Sequence, residues 1–459
     1  MSISSNWCWA WIAVVGIMAG CHADENVQKK TVVEVVDLAG LVSAAAGDDQ
    51  VIHMRPGNYP LSGLVSDASI EAMRKAGNHV LMSFPGNRNR FELSGVVIEW
   101  QTEFREKLKP PVHTNDIEIT GADNIIRGLE IRCTGDGTSP GGALLSIQGT
   151  GNMLQDCRFL VRGSFPYGYG DVFGKGGGPV IGHRKHSGIQ IAGSGTKLTG
   201  CELRMRSFGH GYYIQKNAGD ILLENCSVEG VVRPTEEMLT ETTGPAFEKD
   251  FRTVFRNHEG RETLLPGYAK SLSEDGFRTY DQNTNVVMRN CTARNMRGGF
   301  ELRTKQGTRL VNCAALGCER GFWVADGAVL DHCRGDAKNG PLLFLEGHGT
   351  KIDLAVLPDQ SDRTVHSLAI IRGRGHQVAL RPEGGERADP LPIRIGFGPP
   401  PAGEGMAPFR EDQAAEVTLR NTTKMPVLLG ARSERCQVGS LGAVPENRGK
   451  ENTVVDLKP

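Results

Sequence analysis

The chain has 459 residues, 39 % of them hydrophobic but only 6 % aromatic, so it can bury a large core that must be built from small side chains. Its 52 Lys and Arg balance 53 Asp and Glu to a formal charge of −1, which gives no global field for phosphates or an anionic membrane and excludes nucleic acid as an expected partner. Glycine stands out at 59 residues, about 13 % against a usual usage of about 7 %, and it lacks the triplet period of collagen; the chain must turn often.

The amino terminus opens on an apolar run, Trp9-Ala10-Trp11-Ile12-Ala13-Val14-Val15-Gly16-Ile17-Met18, too short and too early to span a bilayer. Residues 1–21 read as a signal peptide. The end of this segment, Met18-Ala19-Gly20-Cys21, resembles the bacterial lipobox, which implies lipidation at Cys21 and an outer-membrane, periplasmic or cell-surface lipoprotein held to the membrane by that anchor alone. Cleavage at the small-x-small run Cys21-His22-Ala23 is the alternative, and gives a secreted product.

Asp37 then stands where it can cap a short helix carrying Leu38, Leu41, Val42 and Ala45 on one face, followed by a strand and turn from Val51 to Tyr59. Such a helix can plug the open end of a tube. Without Cys8 and Cys21 nine cysteines remain, with no CxxC and no zinc spacing, which argues against a disulfide or zinc framework. Six of them (Cys157, Cys201, Cys226, Cys291, Cys313, Cys333) end short apolar strands as buried packing residues, and the last intervals fall to 22 and 20 residues, the length of a solenoid coil.

A second strand in each coil begins at Gly188, Gly211, Gly276, Gly299 or Gly321. Period-2 alternation turns Ile189, Tyr212, Phe277, Phe300 and Phe322 inward as a ladder. It turns Gln190, Tyr213, Arg278, Glu301 and Trp323 outward in one column, with Ala192, Gln215, Tyr280, Arg303 and Ala325 beside them. Identical strands stacked coil on coil make an all-β parallel helix. The sequence order helix, strand, Pro56-Gly57-Asn58-Tyr59, together with the stretch Ile117 to Ile131, resembles the pectin-lyase-like right-handed parallel β-helix superfamily. That resemblance implies a right-handed β-helix domain over residues 32–375, with residues 376–459 as further coils or a small β extension. It leaves activity open, because enzymes, adhesins and tailspikes share the architecture.

Cysteine to next glycine takes 8 or 10 residues in the regular coils, but 31 from Cys157 to Gly188 and 50 from Cys226 to Gly276. The insertions 162–186 and 232–274 therefore leave at one corner and should overhang one groove beside His210. The Gly174-Lys175-Gly176-Gly177-Gly178 run lacks the following helix and Lys-Ser/Thr pair of a phosphate loop.

A cationic, aromatic groove suits an acidic glycan, since Arg holds a uronate carboxylate bidentately and aromatic rings stack on sugars. For β-elimination by a polysaccharide lyase, Arg278 and Arg303 are expected to neutralise the carboxylate, His210 or Lys270 to act as base, and Tyr213 or Tyr280 to protonate the leaving oxygen. His183, His186, Gln215, Glu301 and Trp323 complete the expected substrate contacts. The superfamily resemblance implies calcium in some members, with Glu274 and Asp275 as candidate ligands; otherwise no cofactor is expected, and the protein is expected to be a monomer. A glycoside hydrolase using Asp275 and Glu301, or a non-catalytic glycan-binding helix, are the competing readings.

Overall fold

The computed structural model describes residues 30–108, 115–173, 181–249, 264–397 and 413–458. The apolar run with Cys21 and the glycine run at 174–180 lie outside the described residues. The regular coils have three short strands, the first two of which join into one strand from Val329–Gly335 onward, and every coil stacks in parallel on the next. One face holds strands such as Gly219–Glu224 and Thr284–Arg289, and the next holds Ser227–Glu229 and Thr292–Arg294. The third face is a 13-stranded sheet from Met82–Phe84 to Glu446–Asn447, and includes Tyr212–Ile214, Asp275–Arg278, Gly298–Leu302 and Arg320–Val324.

The two corners of the tube have separate chemical causes. Between the first and second faces the residue before each ladder cysteine is left-handed, with φ of 53° at Asp156, 53° at Asn225, 51° at Asn290 and 52° at Asn312. Asn and Asp tolerate that backbone best among residues with a side chain, and the asparagines also bond coil to coil, Asn312 Nδ2 donating to Asn290 Oδ1 at 2.8 Å. The turn drops each following cysteine into the core, where all six ladder thiols are free and buried. At the entry to the third face the backbones nearly touch: a Cβ on Gly211, Gly276 or Gly299 would come within 2.7, 2.9 or 2.5 Å of the carbonyl oxygen of the corner glycine one coil on.

Just inside that corner the aromatic ladder forms as the alternation requires. Tyr212, Phe277, Phe300 and Phe322 are buried, with consecutive ring centroids 5.0, 4.8 and 5.1 Å apart and planes within 9°. Tyr212 is tolerated there because its hydroxyl donates to the Cys201 carbonyl at 2.9 Å.

The amino-terminal end is closed by helix Leu38–Ala44, whose Asp37 cap accepts from Gly40 N at 2.7 Å, with Leu38, Leu41 and Ala45 buried. A second helix, Asp67–Ala76, is fixed by a Ser66–Ser69 capping box that the sequence reading passed over. Beyond residue 375 the strands Gln377–Pro382, Thr418–Asn421, Gln437–Ser440 and Thr453–Asp456 stack on the same face, so 375 marks no structural boundary. No helix among the described residues is long and apolar enough to cross a membrane.

Candidate active site on the third face

The two insertions pack on each other. Tyr169, Val172 and Phe173 of the first meet Met238, Ala246, Leu264 and Leu272 of the second in a hydrophobic cluster separate from the tube core. Tyr169 Oη donates to Glu241 Oε2 at 2.9 Å, Arg233 Nη1 donates to Gly168 O at 3.0 Å, and the antiparallel strands Val232–Pro234 and Ala269–Ser271 hold the root of the longer loop. Beneath this cover runs the column Gln190, Tyr213, Arg278, Glu301, Trp323, paired rung by rung. It faces out of the tube, yet Tyr213, Arg278, Glu301 and Trp323 are only 7, 8, 1 and 4 % exposed. The expected groove beneath the two insertions is thus a largely covered one.

A dense ionic network fills it. Asp275 Oδ2 accepts from Arg278 Nη1 at 2.8 Å and Arg297 Nη2 at 3.1 Å, while its Oδ1 meets Arg320 Nη2 at 3.2 Å. Glu274 Oε1 meets Lys185 Nζ at 2.8 Å and Arg297 Nη1 at 3.3 Å. Glu301 Oε1 meets Arg303 Nε at 2.6 Å and Arg278 Nη1 at 2.9 Å. Three carboxylates thus face five cations, and a fourth, Asp171, stands 3.8 Å from Arg297 Nη1, so the excess is a single positive charge in a poorly hydrated pocket. Gly298 makes part of this possible: it lies between Asp275 and Arg320 in register, and a Cβ there would sit 2.6 Å from Asp275 Oδ1.

His210 enters at the edge of the network, 12 % exposed, with Nδ1 3.2 Å from Asp275 Oδ2 and Nε2 3.5 Å from Glu274 Oε2. Burial pushes its pKa below the ordinary value against the pull of Glu274 and Asp275, so the ring is neutral at neutral pH. For Asp275, burial opposes the charge but Arg297, His210 and Arg278 outweigh it and hold the carboxyl well below the usual range. The Tyr213 ring lies 5.7 Å from the imidazole, and burial raises the pKa of its phenol and that of Tyr280, keeping both protonated. Arg278 stacks over Tyr280 at 4.9 Å and Arg303 over Trp323 at 4.4 Å, while Trp323 Nε1 donates to Glu346 Oε1 at 3.0 Å. The accessible rim is Lys185 and Arg303, with side chains 37 and 28 % exposed, joined by the partly exposed Gln215 and Tyr280.

Several expected roles do not fit this arrangement. Lys270 Nζ is clamped 2.6 Å from Asp171 and 2.9 Å from Glu319; burial opposes its charge, but these two carboxylates win and raise its pKa, so it is a fixed cation at the loop root and not a base. His186 is 1 % exposed and lies 3.4 Å from Asp116, itself paired to Arg105 at 2.6 Å, in a separate buried cluster that cannot touch a glycan. His183 rests against Phe208 at 4.9 Å. Glu274 and Asp275 do not fit calcium, which wants six to eight oxygen ligands, because their oxygens already face guanidinium, ammonium and imidazole groups. Asp275 and Glu301 are likewise bridged by one Arg278 nitrogen and are no independent acid and base. Lys185, Arg297, Glu319 and Arg320 were missed, although the last three precede corner glycines just as Glu274 and Asp275 do.

Residues 177–352 match the family model described as a right-handed β-helix region. Similar solved structures include a family 6 alginate lyase in complex with a trisaccharide, 11 % identical with a TM-score of 0.50, covering 91 % of this chain and 86 % of that one. A mannuronic acid specific family 6 polysaccharide lyase from human gut microbiota is 9 % identical at a TM-score of 0.47, covering 93 % and 82 %. The catalytic domain of a family 87 α-1,3-glucanase in complex with nigerose is 10 % identical at 0.43, covering 94 % and 69 %. A search of curated proteins finds no match. The protein is a right-handed parallel β-helix.

Proposed function

We propose that this protein is an exported polysaccharide lyase that cleaves an acidic, uronate-containing glycan by β-elimination on the third face of the helix. The observation that carries the reading is His210: a neutral imidazole, oriented by Asp275 and Glu274, next to a protonated tyrosine and beneath an excess of cations. Lys185 and Arg303 on the rim receive the uronate carboxylate, and drawing off its charge acidifies the neighbouring C5–H. His210 takes that proton, the electron pair becomes the C4–C5 double bond, and the C4–O bond breaks with the leaving oxygen protonated by Tyr213 or Tyr280. Arg278, buried between Asp275 and Glu301, serves by fixing those carboxylates. The apolar run ending at Cys21 supports export, as an anchored or a secreted product.

Structures of the same fold include alginate lyases, so polyuronates are the first substrates to assay. The purified protein is incubated with a panel of acidic polysaccharides and a neutral glucan. Unsaturated products, seen by ultraviolet absorbance and mass, are the expected result. New reducing ends without unsaturation reject elimination in favour of hydrolysis, and an unaltered polymer rejects catalysis on that panel.

A further inference from the structure

Away from the ionic network, the second face carries a charge pattern that the proposed reaction does not use. Strands Glu130–Thr134, Arg158–Arg162 and Glu202–Arg206 stack in register, with Ile131, Phe159 and Leu203 buried beneath. Alternation leaves nine outward positions, and five are arginine: Arg132, Arg158, Arg162, Arg204 and Arg206. Acidic neighbours answer only some of this charge, Glu130 meeting Arg132 at 2.5 Å, Glu202 meeting Arg158 at 3.7 Å and Asp136 meeting Arg162 at 2.6 Å. Arg162 and Arg206 are direct partners on adjacent strands, a like-charge pairing that costs stability. The concentration is local: the outward positions Ser227 and Glu229 one coil on, and Val97 and Glu99 one coil before the three, hold no arginine.

These side chains line a groove of about 850 Å³, walled on one side by Tyr167 from the first insertion. Rungs about 4.8 Å apart offer guanidinium groups at a spacing close to the advance of one sugar in an extended chain. Guanidinium forks match carboxylates bidentately, and a tyrosine ring can flank a sugar face. We propose that this groove is a second, non-catalytic binding surface for an acidic polysaccharide, holding a remote stretch of the same polymer class. It shares with the lyase reading only that class of ligand. The single aromatic wall weighs against a single-stranded nucleic acid, which would call for several stacking platforms along the groove.

The test is affinity electrophoresis and calorimetry of the full chain on alginate and polygalacturonate, with dextran as neutral control, for wild type and the exposed-face double variant Arg204→Glu/Arg206→Glu. Wild type should be retarded by the polyuronates and not by dextran. The double variant should bind at least tenfold more weakly at about 0.1 M salt with a shallower salt dependence, and should melt like wild type. His210→Ala should bind like wild type, which separates this surface from the site of chemistry; if no polymer is cleaved at all, the binding comparison still decides the groove. Equal binding by the double variant, no binding of either polyuronate by wild type, or equally tight binding of single-stranded DNA at about 0.15 M salt would each overturn the proposal.

Discussion

Truncating Phe300 to alanine should cut the tube at one place and leave the rest standing. The ring is fully buried between Phe277 at 4.8 Å and Phe322 at 5.1 Å, both nearly parallel to it. Removing it should cost about 3 to 5 kcal/mol for lost transfer energy and the cavity left behind. Two ring contacts worth about 0.5 to 1.5 kcal/mol each are lost together, which places the expectation in the upper half of that range. Each coil touches only its neighbours, so the loss should stay local, and a single melting temperature is the wrong measure for such a chain. Native-state hydrogen exchange is the suitable assay. Amides of Asp275–Arg278, Gly298–Leu302 and Arg320–Val324 should exchange roughly a thousand- to five-thousandfold faster, while Ile393–Ile395 stays unchanged. Phe300→Leu, which refills most of the volume, should lose less than half as much. A change under tenfold, or an equal change along the whole helix, would refute both the ladder and its nearest-neighbour energetics.

If the proposed elimination occurs, His210→Ala should lower turnover on the polyuronate it acts on at least about a hundredfold. Because burial depresses the pKa of His210, its base form is present above the ordinary value of about 6.5, and wild-type activity should fall only as pH drops below that point; a rate that keeps climbing well above neutrality would reassign the base. The same depressed pKa, with that of Asp275, adds stability that is lost on acidification through the folded values, so the wild type should unfold more readily in acid than His210→Gln does. Arg303→Ala, at a partly exposed position, should keep its melting temperature and lose about a hundredfold in turnover; full activity would remove it from the carboxylate site. Lys270→Ala strands Asp171 against Glu319 and should destabilise the loop root by about 3 kcal/mol or more, whereas wild-type melting with abolished turnover would return the base to Lys270. The nine described cysteines, all buried, should resist thiol reagents until the chain is denatured.

The fold was largely legible because a solenoid repeats its instructions. Glycine, aromatic and cysteine recur in phase, and the rung pairing of Tyr212 with Phe277 and of Phe300 with Phe322 follows from that phase alone. The Asn-Cys pairs at 225, 290 and 312 also displayed the left-handed corner, which a reading centred on the thiols overlooked. The site was legible in position and less so in state. Alternation says which way Arg278 and Glu301 point, and the two long connections say what overhangs them, but neither says that the side chains beneath are nearly sealed from solvent. Nor can spacing show that Lys270 meets Asp171 and Glu319, or that His186 meets Asp116, since these partners come from distant coils and loops.

The glycine corner where the third face begins has a further consequence. The chain leaves the second face after Ser227–Glu229 and returns at Asp275–Arg278 still in phase, Tyr212 beside Phe277, although the connection is some forty residues longer than in a regular coil. Stretching a connection from 8 to 50 residues adds only about 1.6 kcal/mol of closure entropy, roughly what one buried side chain restores. Register is thereby insulated from loop length. The tube can acquire, lose or exchange the structures above its groove without renegotiating its core, and substrate preference can diverge while the scaffold stays still.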